Sequence, residues 1–124
     1  ATEPLFAASS LRPGTHINAI GAFLPHMREV DSATVQTSKV VVDTLEGAEH
    51  EAGDLLIPIA EQEWSFAQLH AELGEILIGQ KPGRENNAEI TLYKSVGVAY
   101  LDTAVAKTVY ERAKAAGIGT EVSL

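Results

Sequence analysis

The chain has 124 residues, enough for one domain with a proper core, and carries 17 acidic against 9 basic residues for a net charge of −8. That charge opposes any general attraction to phosphate backbones or anionic lipid, which argues against nucleic acid and membrane surfaces as partners. Cysteine is absent, so there is no disulfide framework or thiol nucleophile, and no apolar run approaches the ~20 residues of a membrane helix; the expected setting is cytoplasmic.

The turn signal Arg12-Pro13-Gly14 precedes a predicted strand from His16 to Ala22. In it Ile17, Ala19 and Ile20 favour a covered, pleated backbone, while His16 and Asn18 each need a polar partner if buried. A short helical segment follows from Asp31 to Thr37, with Asp31 or Ser32 as its cap. Lys39-Val40-Val41-Val42-Asp43 reads as a central parallel strand, because three consecutive valines suit burial on both faces. Thr44 to Gly53 is predicted helical and ended by Gly53, whereas Leu55 to Ile59 is apolar, short and interrupted by Pro58.

Trp64 to Ile78 is predicted as an amphipathic helix, since Phe66, Leu69, Leu73, Ile76 and Leu77 recur at three- and four-residue spacings. Leu69 and Leu73 are expected over the sheet. Glu89 to Lys94 alternates with period two and reads as a strand. Ser95-Val96-Gly97 then turns into a long, alanine-rich helix to about Ala116, with a stripe of Leu101, Val105, Val109 and Ala113 and a stop at Gly117.

Strands alternating with helices predict an α/β fold built on a parallel sheet, whose ligands sit beyond the carboxyl ends of the strands. Asn18, Gly21, Asp43 and Ser95 lie near or beyond such ends. No G-x-G-x-x-G follows a strand; Gly117-x-Gly119 follows a helix, the wrong context for a dinucleotide loop. His16, His26, His50 and His70 lack a ligand spacing, so no metal site is expected, and His16 reads as a hydrogen-bonded strand residue. Glu51, Asp54, Glu72 and Glu75 read as solvated helix faces, and Asp43 as a cap of the helix after it, with ligand contact the alternative.

Seven stretches, in this order, resemble the ornithine cyclodeaminase and mu-crystallin family: Ala1 to Phe6, Pro13 to Ala22, Arg28-Glu29, the Val42-Asp43 strand end, Glu51 to Asp54, Ala71 to Glu75, and Lys94 to Gly97. The resemblance covers only the C-terminal part of such a protein. It implies the C-terminal half of a Rossmann-type parallel sheet in residues 1–94. Residues 95–124 would then be a long C-terminal helix and a strand belonging to the substrate and dimerisation domain.

The family unites NAD- or NADP-dependent enzymes of amino-acid metabolism: cyclodeaminases, alanine dehydrogenases and ketimine reductases. The resemblance implies that Asn18, Ala19, Ile20, Gly21 and Ser95 line the cofactor, that Phe23 and Val96 face a small amino-acid-derived substrate, and that none of them is a catalytic acid or base. Phe23 stands where cyclodeaminases carry a proton-handling carboxylate, and a phenyl ring cannot exchange a proton. The implied activity is therefore reduction of a cyclic ketimine or imino acid, with ornithine cyclodeamination and a mu-crystallin-like ligand-binding or structural role as alternatives. Met27 stands where cyclodeaminases have a basic residue, with Arg28 next to it, and either could face the cofactor. The chain by itself is expected to be an inactive fragment that packs against a missing N-terminal half or forms a homodimer, because its helix stripe and strand edge would be uncovered.

Overall fold

The computed structural model describes residues 1–120 and Val122. Four strands form one parallel sheet: β1 (His16–Ala19), β2 (Lys39–Val42), β3 (Ala71–Glu72) and β4 (Thr91–Lys94), in the spatial order β1-β4-β2-β3. Around them lie α1 (Ser32–Thr37), α2 (Leu45–Glu51), α3 (Gly53–Ala60), α4 (Leu73–Leu77) and α5 (Ala99–Ala115). The fold is thus α/β with a parallel sheet and a long C-terminal helix, as expected.

The valine strand is central, paired with β4 on one side and β3 on the other. One face of the sheet carries Ile17, Ala19, Val40, Val42 and Leu92, packed against Val35 of α1, Ala48 of α2 and Leu55 of α3. Asp31 caps α1, its side chain accepting from the Thr34 amide at 2.8 Å. Leu92 is fully buried in this core, so Leu92→Ala is expected to cost about 2–5 kcal/mol, read as a shift in the denaturant midpoint. Leu73 is only half-buried, and Leu73→Ala should cost about 1–2 kcal/mol.

Several elements depart from expectation. β1 ends at Ala19 rather than Ala22, because the amides of Gly21 and Ala22 turn to the Glu29 carboxylate at 2.7 and 3.2 Å instead of continuing the ladder. Gly53 does not end a helix but opens α3, which contains Pro58; α2 ends at Glu51. Only glycine fits there, since a Cβ would collide with the carbonyls of Leu24, Pro25 and Met27.

The largest departure is Trp64 to Ile78, which is not one helix. Ser65 caps a single 3-10 turn over Phe66–Gln68, the chain extends at Leu69, and Ala71–Glu72 pairs with Val41–Val42 before α4 begins. The His70 amide donates to the Val40 carbonyl at 3.0 Å, so this segment fills the outer edge of β2, whose backbone groups otherwise lack partners. Phe66 and Leu69 still pack on the core beside Trp64, which meets Phe66 edge-on at 5.5 Å.

α5 forms over the predicted span, but its stripe is open: Val105 and Val109 are 63% and 60% exposed. The predicted closing strand falls partly on residues 121, 123 and 124, outside the described residues, and residues 118–120 are not extended in a sheet. Among the described residues no helix is long and apolar enough to cross a membrane.

Candidate functional site

Because all four strands are parallel, their carboxyl ends open on one rim, and the loops that follow them meet there. The turn after β4 is held by the loop after β2. The Asp43 carboxylate, buried beyond the last valine, accepts from Ser95 Oγ at 2.8 Å and from the amides of Val96 and Gly97 at 2.9 Å each, and through its other oxygen from the Thr44 amide at 2.9 Å. Asp43 is therefore not the cap of α2. Thr44 takes that position, its hydroxyl oxygen accepting from Gly47 at 3.2 Å, and Asp43 ties two strand ends together.

The Ser95 amide donates to the Ala19 carbonyl at 3.1 Å, which brings the ends of β1 and β4 side by side. Asn18, Ala19 and Ser95 thus share this rim. Ala19 is buried, while Ile20 stands 64% exposed and Phe23 51% exposed. Val96 is half-buried and reaches toward Gly47, where an added Cβ would lie 3.0 Å from its methyl group. Gly21 faces the Glu29 carboxylate, which occupies the space a side chain would need.

The polar residues of the β1 strand find each other. His16 Nδ1 pairs with Thr91 Oγ1 at 2.7 Å and its Nε2 with Asn18 Oδ1 at 3.3 Å, a hydrogen-bonded strand histidine. With Lys39, Val41 and Tyr93 these residues line an open cavity of about 410 Å³ on the sheet face opposite the core; Asn18 alone of the candidate site residues borders it. Burial pushes the Tyr93 phenol up from its ordinary pKa, a bond toward Ser95 opposes this, and the nearby Asp43 charge adds to the rise.

Of the neighbouring candidates, Arg28 turns along its own loop, donating to the Val30 carbonyl at 2.8 Å and to Ser32 Oγ at 2.5 Å, while Met27 is half-buried. Glu72 and Glu75 are capping carboxylates rather than a solvated face. Glu75 accepts from the Glu72 amide at 2.9 Å, and Glu72 from the Leu45 amide at 2.5 Å. No three metal-ligating side chains come together among the described residues.

Reading the sequence missed a buried ion pair. Lys94 and Asp54 are both fully buried with Nζ and Oδ2 3.0 Å apart, so Asp54 lies in the interior and not on the solvated helix face that its sequence context predicts. The alternation of β4 carried one signal, since it places Lys94 on the same face as the buried Leu92.

Comparison with known proteins gives a consistent picture. The family model described as "Ornithine cyclodeaminase/mu-crystallin family" matches residues 1–117. A Delta(1)-pyrroline-2-carboxylate reductase of Bacillus cereus is 48% identical over 123 residues, covering 98% of this chain and 38% of that protein. The structure of the Thermococcus litoralis Delta(1)-pyrroline-2-carboxylate reductase in complex with NADH and L-proline superposes with a TM-score of 0.88 at 50% identity, covering 98% of this chain and 38% of that one. An archaeal alanine dehydrogenase dimer with bound NAD superposes with a TM-score of 0.84 at 39% identity, covering 100% and 38%. The chain spans less than two fifths of the length of each of these relatives.

Proposed function

The chain belongs to the ornithine cyclodeaminase/mu-crystallin family, and from that premise we propose that the protein is an NAD(P)H-dependent oxidoreductase that reduces a cyclic ketimine or imino acid. The observation that carries this reading is the joining of the Asn18–Gly21 segment to the Ser95–Gly97 turn at the carboxyl rim of the sheet. It is supported by similarity to a reductase whose structure holds NADH and L-proline.

The rim suits a nicotinamide and its ribose. Asn18 offers an exposed amide side chain, Ile20 an exposed apolar surface, and Ser95 a hydroxyl whose orientation Asp43 sets. In this reading Asn18, Ala19, Ile20, Gly21 and Ser95 hold the cofactor, and Phe23 and Val96 border the substrate. When bound, the dinucleotide supplies a hydride to the carbon of the C=N bond, and the nitrogen takes its proton from water or another group. The residues of this chain contribute placement, because the reacting atoms must lie within ~3–3.5 Å of one another. Residues 1–94 would form part of the dinucleotide-binding domain, and residues 95–124 would join the substrate and dimerisation domain. The exposed stripe of α5 would serve a subunit contact, as one similar dehydrogenase is a dimer.

The test is to incubate the full-length protein with NADH or NADPH and a five-membered cyclic imino acid and follow the near-ultraviolet absorbance of the reduced cofactor. Consumption is expected; unchanged absorbance in both cases would overturn the reading in favour of a ligand-binding or structural role. Phe23→Asp should alter the preference among imino acids while leaving cofactor affinity intact. Loss of affinity with unchanged preference would place the ring on the cofactor side instead.

A further inference from the structure

The turn from Ala19 to Ala22 is gripped by side chains that the proposed reaction leaves without a task. The Lys94 ammonium donates to the Ala19 carbonyl at 3.2 Å and to the Ala22 carbonyl. The Glu29 carboxylate accepts from the amides of Gly21 and Ala22. Asp54 connects the two grips: one oxygen pairs with Lys94 at 3.0 Å, and the other accepts from the backbone amides of Glu29 at 2.6 Å and Val30 at 3.0 Å.

A buried ion pair is a poor device for stability alone, since well-packed apolar residues of similar volume often do as well or better. Its distinguishing property is direction, because an ammonium fixed by a carboxylate delivers its donors to chosen carbonyls. Here those carbonyls belong to the segment that, in the reading above, passes beside the nicotinamide. Gly21 completes the fit, as a Cβ at that position would displace the Glu29 carboxylate.

We propose that Glu29, Asp54 and Lys94 act as positioning residues, a clamp that sets the backbone of the Asn18–Gly21 turn against the dinucleotide; the inference rests on the proposed function. None of the three touches the reacting atoms. Their effect is exerted through the turn, where a displacement of about 1 Å is enough to slow a positioned reaction by roughly 100-fold.

Glu29 is the handle for the test, because it is half-buried and its removal leaves the Lys94–Asp54 pair intact. In the full-length protein, Glu29→Ala should speed hydrogen exchange at the Gly21 and Ala22 amides about 10-fold or more and leave the β2 amides unchanged. The same variant should lower kcat by about 10- to 100-fold with a much smaller change in the KM for the imino acid. Glu29→Gln, which keeps an acceptor oxygen, should restore most of both. Unchanged exchange and kcat in Glu29→Ala would overturn the clamp, as would a Glu29→Gln variant as impaired as the alanine. A wild-type protein that oxidises no reduced dinucleotide would instead overturn the proposed function, and the exchange comparison alone would then decide the clamp.

Discussion

Asp54→Ala is expected to destabilise the protein by about 3–5 kcal/mol, because it strands the Lys94 ammonium in a site with no access to water. It also removes the acceptor for the Glu29 and Val30 amides, so part of the loss is the penalty for buried donors without partners. Lys94→Ala should fall in the same range for the mirror reason. The double variant Asp54→Leu/Lys94→Met leaves no buried charge and should recover part of that loss, though not all, since the backbone groups at Ala22, Glu29 and Val30 lose their partners. Denaturant unfolding of wild type, Asp54→Ala, Lys94→Ala and Asp54→Ala/Lys94→Ala closes a double-mutant cycle, with the Leu/Met variant measured beside it. Single variants within about 1 kcal/mol of wild type would show that Lys94 reaches water by another route.

Asp43→Ala is the second large effect. One carboxylate supports four donors from two loops, and hydrogen bonds to a charged group contribute about 1.5–3 kcal/mol each without adding fully. A loss of about 3 kcal/mol or more is expected, concentrated in the Ser95–Gly97 turn. Because Ser95 and Val96 are proposed to face cofactor and substrate, activity should fall further than the unfolded fraction explains. Ser95→Ala removes only one of the four bonds and should cost about 1 kcal/mol. Equal losses in the two variants would mean that the turn is held elsewhere.

What the sequence determined by itself was the set of elements whose cause is local. The valine run of β2 needs two covered neighbours and became a central parallel strand. Asp31 caps α1 through an amide three residues away, and the alanines of α5 carry their own helical propensity. The candidate rim was legible in the same way, because parallel strands place their carboxyl ends together whatever the loops do.

The tertiary structure decided everything that depends on a partner distant in the chain. The spacing of Phe66, Leu69 and Leu73 satisfies a helical period, yet the open edge of β2 offered Ala71 and Glu72 a ladder, and strand pairing prevailed over a short helix. The alternation of β4 puts Lys94 on the covered face but names no counter-charge for it until Asp54 arrives, and Asp43 reads as a local cap until the Ser95–Gly97 turn arrives. A buried charge is stable only beside its counter-charge or its donors, and no local pattern encodes where those will be; that is settled by how the sheet brings the ends of β1, β2 and β4 to one rim.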